Sequence, residues 1–356
     1  RTVFASPDLK PDQRAVLTIN AAIPRAHLFL NGSRIAVQDD MFIGDPVDVT
    51  GRLRAGENEL AVLLTDHRRF PHPDTGALTL EEVPWGCCIS RQQAGIWQDV
   101  RLGVYPETHI AHTTIRTSMR ENRLWLRVQL TNGGTRPFQG ELVAQVDTGV
   151  QAGPGLAPQP VTLAPGETSE VTVEAPWSNY SAWSPDDPRL YHLDLLLVAG
   201  GRVVDAVRER FGFREVWIDG HRIRLNGQAQ RWYGEWAHKA HAHWLRPEYV
   251  RQWYQQLHDL HMNYVRLHTF PHPEMYLDIA DEMGILICQE TALYGSFQGG
   301  IDTPNLWPNA AAHVRRMVRR DLDAGRHRRP GWFAPPQIDD LARSQQHGAE
   351  EPRRGQ

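Results

Sequence analysis

The stretch Arg231-Trp232-Tyr233-Gly234-Glu235-Trp236, running into Ala237-His238-Lys239-Ala240-His241-Ala242-His243, decides how this chain is read. Two later stretches repeat its design of an apolar run that ends in polar groups. They are Tyr264-Val265-Arg266-Leu267-His268 and Ile285-Leu286-Ile287-Cys288-Gln289-Glu290. Short apolar runs of this kind predict buried strands. Between the first two, residues 247–260 place Val250, Tyr254, Leu257 and Leu260 near a 3.6-residue repeat, with Pro247 suited to a first helical turn. Residues 273–283 and 309–321 predict two further helices, the last with arginines on its exposed face. Strand and helix in alternation is the α/β signature. It is how a (β/α)8 barrel begins, and such barrels carry their chemistry at the C-terminal strand ends. A whole barrel takes about 250 residues, so the alternation here accounts for about three of the eight units.

Upstream the period is that of strands. Ala15-Val16-Leu17-Thr18-Ile19, His27-Leu28-Phe29-Leu30 and Glu59-Leu60-Ala61-Val62-Leu63-Leu64 alternate or run apolar, and Asn31-Gly32 is a tight-hairpin signal. Residues 1–105 therefore predict a jelly-roll sandwich. Residues 106–212 predict a second, immunoglobulin-like sandwich, with strands at 124–130, 141–146, 170–173, 191–197 and 203–210. The Pro- and Gly-rich residues 153–165 between them read as turn. Residues 213–322 hold the barrel units. The fold class expected is multidomain β plus α/β: a jelly-roll sugar-binding-like domain, an immunoglobulin-like β-sandwich and an incomplete (β/α)8 TIM barrel.

Residues 323–356 are rich in Arg, Pro, Gln and Gly and lack a period. That is the composition of a disordered tail, and equally of an out-of-frame reading of GC-rich DNA. Abundant arginine beside only two lysines, Lys10 and Lys239, fits such coding. The chain opens on Arg1 with no signal-peptide pattern, so its N-terminus is expected to be incomplete and its compartment stays open.

Bulk properties narrow the function classes. At 356 residues and net charge −4, nothing recommends nucleic acid or an anionic membrane as a partner. No apolar run approaches the ~20 residues of a membrane span. Three cysteines, with Cys87 and Cys88 adjacent, make no disulfide framework.

The strand ends supply Glu235, His238, Arg266, His268 and Glu290. Arginine and histidine at a pocket floor donate directional hydrogen bonds to hydroxyl or carboxylate ligands. Trp236, with Trp232 and Tyr233, offers a flat face on which a sugar ring stacks. The alternative for Arg266 and Glu290 is a buried structural ion pair between neighbouring strands. His238, His241 and His243 raise a zinc reading, but their spacing matches no zinc signature. No metal and no cofactor is expected.

Several segments resemble the family 2 glycoside hydrolases, the β-galactosidase, β-glucuronidase and β-mannosidase group. The resemblance is carried by Leu28-Phe29-Leu30-Asn31-Gly32 and by Asp48-Val49-Thr50 with Gly56-Glu57-Asn58-Glu59-Leu60-Ala61-Val62. It continues in Ala94-Gly95-Ile96-Trp97-Gln98-Asp99-Val100, Trp183-Ser184-Pro185-Asp186-Asp187-Pro188-Arg189-Leu190-Tyr191 and Arg210-Phe211-Gly212-Phe213-Arg214. Leu225-Asn226-Gly227 and Val265-Arg266-Leu267-His268 through Pro271 complete it. Each motif is weak alone, and their order is specific. The resemblance implies a retaining hydrolase of terminal sugars in β-glycosides that works with two glutamates, an acid/base after the fourth barrel strand and a nucleophile on a later one. Neither matches a position here, so no catalytic residue is assigned and the chain alone is expected to be silent. His238 and Arg266 match the family's binding residues, and His268 stands one place from its usual histidine. Glu290 matches the glutamate of a "D-E-A/T" motif in which Gln289 replaces the aspartate. The competing reading is a carbohydrate-binding or scaffolding module without catalysis.

Overall fold

Strands Gln13–Ile19 and Arg25–Leu30 alternate buried and half-buried side chains, as a strand with one face on a core must. In the computed structural model, which describes residues 1–65, 69–71, 78–80, 94–149, 153–237, 243–293 and 306–322, they belong to two facing sheets. One has the order Thr2–Ala5, Glu57–Thr65, Arg25–Leu30, Ser33–Gln38, and the other Val100–Pro106, Gln13–Ile19, Val47–Asp48. Ala15, Leu17, Ile19, Leu28, Leu30 and Leu60 fill the space between them. Asn31 and Gly32 both take positive φ (53° and 83°), the two-residue turn that matches strand twist. The buried Asn58 of the Gly56-Glu57-Asn58 motif accepts from the Asn31 amide and the Arg54 N–H, both at 2.8 Å, which ties that hairpin to the next strand.

The second sandwich sets Thr108–Ser118, Arg123–Asn132 and Thr168–Pro176 against Gln159–Leu163, Phe138–Asp147, Tyr191–Ala199 and Arg202–Phe211. Leu124, Leu126, Val128 and Leu130 meet Leu193, Leu195 and Leu197 across the gap, and all seven side chains are fully buried. The Pro- and Gly-rich residues 153–165 are not all turn. They include Gln159–Leu163, an edge strand that among the described residues pairs only with Phe138–Asp147. Pro160 is tolerated there because an edge strand bonds on one side.

Residues 213–230, for which no strand was expected, form an antiparallel meander of Val216–Asp219, Arg222–Leu225 and Gln228–Ala229. Asn226-Gly227 makes its second turn, and Asn226 donates to the Trp183 carbonyl at 2.8 Å.

Three parallel strands follow, Gly234–Ala237, Tyr264–Leu267 and Leu286–Gln289, adjacent in that order. The first is shorter than the apolar run, since Arg231, Trp232 and Tyr233 lie ahead of it. Helices α1 (Pro247–Asp259) and α2 (Glu274–Met283) connect them, and α3 (Leu306–Leu322) comes after the third strand. Val250, Tyr254 and Leu257 of α1 pack with Tyr276, Ile279 and Ala280 of α2 over Val265 and Leu267. Leu260 does not continue the stripe. The helix has ended, and Leu260 is 61% exposed. Gly284 caps α2 in the left-handed conformation, and a Cβ there would sit 2.2 Å from the Pro185 carbonyl oxygen, so the second sandwich presses directly on this cap. Among the described residues, no helix is long and apolar enough to cross a membrane.

Candidate functional site

The register of the parallel strands sorts their side chains. Trp236, Arg266 and Cys288 are in-line partners, as are Glu235, Val265 and Ile287. Val265 is fully buried in the core shared with α1 and α2, so its row faces the helices, and the row of Arg266 faces the other way. Where that second row leaves the strands, four groups converge. The Arg266 Nε donates to Glu290 Oε1. His268 Nδ1 lies 3.1 Å from Glu290 Oε2. The Trp236 ring meets the His268 ring edge-on at 4.7 Å. Glu290 thus spends one oxygen on a guanidinium and the other on an imidazole. Its hydrogen bond holds the Arg266 pKa above the ordinary arginine value. One pair behind, burial and then a hydrogen bond with the Cys288 thiol push Tyr264 up to about 12.

The ion pair weighed as a structural alternative does form, but it is not buried. The Arg266 side chain is 45% exposed and that of Glu290 21% exposed. An open pair of this kind contributes little to stability, and its partly solvated donors and acceptors are reachable by a polar ligand.

The structure does not bring Glu235 to this cluster. It points to the helix side and accepts from Trp253 Nε1 of α1 at 2.5 Å. Its parity with Val265 dictates this. His238 and His241 lie outside the described residues, as do Cys87, Cys88 and residues 323–356. His243 is exposed in the turn before α1. Among the described residues, no group of three or more His, Cys, Asp or Glu side chains stands ready to hold a metal ion.

Gln289 faces the helices. With its amide oxygen turned to the available donors, it accepts from Arg320 Nη2 (2.9 Å) and the His272 N–H (3.0 Å), and its side chain also hydrogen-bonds Asp321. Burial pushes the Asp321 carboxyl above its ordinary pKa, against the pull of Arg320. A second carboxylate at 289 would face Asp321, which gives the amide a physical reason.

Two features of the site's support were not read from the sequence. Trp97, in the Gly95-Ile96-Trp97 motif, donates from Nε1 to the Met41 carbonyl (2.9 Å) and stacks on Trp244, ring centres 5.1 Å apart. With Phe42 on Phe270 (5.3 Å), it docks the first sandwich onto the segments flanking the parallel strands. The second feature is His313, in the middle of the apolar stripe Ala310, His313, Met317 of α3. A histidine on such a stripe is the signal that could have found it.

A family model described as glycosyl hydrolases family 2 matches residues 108–214, and one described as glycosyl hydrolase 2 galactose-binding domain-like matches residues 1–95. The chain belongs to glycosyl hydrolase family 2. A β-galactosidase of Enterobacter cloacae is 26% identical over 309 residues, which is 83% of this chain and 29% of that enzyme. Among solved structures, a Bacteroides uniformis β-glucuronidase superposes with a TM-score of 0.76 at 20% identity, over 91% of this chain and 39% of that one. A β-galacturonidase of Eisenbergiella tayi bound to galacturonate gives 0.73 at 20% identity, over 91% and 55%. At these identities the superpositions establish the fold. The chain spans between 27% and 31% of the length of the curated relatives it matches.

Proposed function

We propose that this chain supplies the sugar-holding part of a glycosidase acting on the terminal residue of β-glycosides. Residues 1–105 and 106–212 are its two sandwiches, residues 213–322 the opening units of a (β/α)8 barrel, and Trp236, Arg266, His268 and Glu290 its sugar contacts. The convergence of these four side chains at the C-terminal strand ends carries the reading. Sugar hydroxyls donate and accept, and the cluster offers both functions beside an aromatic face. His238 is proposed to join them, as the family resemblance implies. The names of the relatives, β-galactosidase and β-glucuronidase, support galactose or glucuronate as the terminal sugar.

The whole enzyme's retaining reaction needs two carboxyl groups about 5–5.5 Å apart. Glu235 lies on the opposite face from Glu290, so the two do not form such a pair, and neither is proposed as acid/base or nucleophile. The chain alone is therefore expected to bind and not to turn over. The docking role of Trp97 favours the first sandwich as scaffold rather than as an independent lectin. Calorimetric titration with galactose and with glucuronate tests the reading, beside release from chromogenic β-glycosides. Uptake of one sugar, lost in E290Q, with no release, is the expected result. No heat with either sugar at tens of millimolar, or robust release, overturns it.

A further inference from the structure

We propose that Asp40, acting through His313, is a positioning residue for the turn that carries Glu290. This rests on the sugar site proposed above and extends it to the first sandwich.

Asp40 is 4% exposed and lies just beyond strand Ser33–Gln38. Its Oδ1 accepts from the backbone N–H groups of Phe42 (2.9 Å) and Ile43 (3.1 Å). Its Oδ2 lies 2.8 Å from Nδ1 of His313, which is fully buried on α3. The other ring nitrogen, Nε2, accepts from the backbone N–H of Ala292 at 3.1 Å. Ala292 is also fully buried and stands two residues beyond Glu290. A line of hydrogen bonds therefore runs from a carboxylate of the first sandwich, through a helix after the third parallel strand, to the turn that carries Glu290.

The chemistry fixes the proton. A backbone N–H can only donate, so His313 Nε2 must accept and the ring proton belongs on Nδ1, donated to Asp40. Asp40 thus selects the tautomer that can hold Ala292. The Asp40 carboxylate also has Arg316 Nη1 at 3.9 Å, and Arg316 makes a separate, exposed pair with Asp45 at 2.6 Å. That outer pair joins the same two elements, and its Asp45 member meets Arg316 alone in this group, which makes a change at Asp45 a control for docking.

D40N keeps the shape and reverses the logic. Its oxygen stays with the two backbone donors at 42 and 43, so its NH2 faces His313 Nδ1. The ring then shifts its proton to Nε2, where it meets the Ala292 N–H donor to donor. In the full chain, nitrogen NMR of the histidines, amide exchange at Ala292 and calorimetry with galactose and glucuronate read the consequence. The expected result is an Nδ1–H tautomer in the parent. D40N should then show an Nε2–H tautomer, at least tenfold faster exchange at Ala292 and about tenfold weaker sugar uptake. D45N, which breaks the outer pair from the side that does not touch Asp40, should leave all three within about twofold. A parent ring protonated on Nε2, unchanged exchange in folded D40N, unchanged affinity in that variant, or equal losses in D45N each overturn the proposal. Should D40N not fold, H313N answers the same question, since its amide keeps the donor to Asp40 and removes only the acceptor for Ala292. A parent that takes up neither sugar overturns the site, while tautomer and exchange, which need no ligand, still judge the relay.

Discussion

Arg210, on the last strand of the second sandwich, pairs with Glu282 on α2. The same guanidinium donates to the Asp278 carbonyl at 2.9 Å and lies 3.4 Å from its carboxylate. Its side chain is only 9% exposed. Beside it, Trp183 donates to the Asp281 carbonyl (2.8 Å), and Arg214 covers the Trp183 ring while pairing with Asp281. The second sandwich thus grips the C-terminal half of the helix that leads into the strand of Glu290.

Replacing Arg210 by Ala leaves the α2 carboxylates facing a low-dielectric gap with Arg251 alone to serve Glu282. A loss of about 2–3 kcal/mol is expected in urea unfolding at unchanged m-value. A change below about 0.5 kcal/mol would mean that the grip is ornamental.

His272 sets a pH dependence. Its ring is fully buried, and burial drives its pKa from the ordinary value down to about 4. Folding therefore favours the neutral ring. The stabilisation is complete above the unfolded value of about 6.5 and is lost as pH falls toward 4, at most about 3 kcal/mol. Burial also raises Glu282, but hydrogen bonds from Arg210 and Arg251 outweigh it and bring that carboxyl below its ordinary value. Its contribution survives to lower pH and is lost only below the ordinary carboxylate range. H272N retains a donor for the Phe270 carbonyl and removes the titration. Its unfolding midpoint should fall less between pH 6.5 and 4 than that of the parent, and parallel curves would contradict the assignment.

Much of this was legible beforehand, and the exceptions have physical causes. The sandwich strands showed because each buries one face, as Leu124, Leu126, Val128 and Leu130 do. The meander was missed because its strands bury little, with Ile218 76% exposed, and only its turn residues mark it. Arg266, His268 and Glu290 were readable as polar groups closing apolar runs. Glu235 was misplaced because its face depends on pairing with Val265, which appears only once the register is known. Asp40 and His313 are 273 residues apart, and no local period connects them.

Gln289 stands where the family resemblance implies an aspartate, and Q289E tests why. A glutamate there retains the acceptors for Arg320 and the His272 N–H but sets a carboxylate against the half-buried Asp321. Two carboxyls at one site raise the pKa of one of them. The variant's added group is therefore favoured protonated, and its stability is present at low pH and lost as pH rises. A deficit of about 1–2 kcal/mol against the parent is expected at pH 7, shrinking toward pH 5. A deficit that grows on acidification would reject the explanation.

Trp97 decides whether the first sandwich and the parallel unit unfold together. Its ring closes the cluster of Ile23, Met41, Phe42, Ile43, Phe270, Ala292 and Met317, and its Nε1 satisfies the Met41 carbonyl. Trp97→Ala opens a cavity between the two elements and leaves that carbonyl unsatisfied, worth about 3–5 kcal/mol of docking free energy. The sandwich core of Leu17, Leu28 and Leu60 does not include it. Calorimetric melting should then split into separate transitions, the first sandwich retaining its own midpoint and the parallel strands melting earlier. One undivided transition, merely shifted downward, would show that the two are joined by more than this aromatic contact.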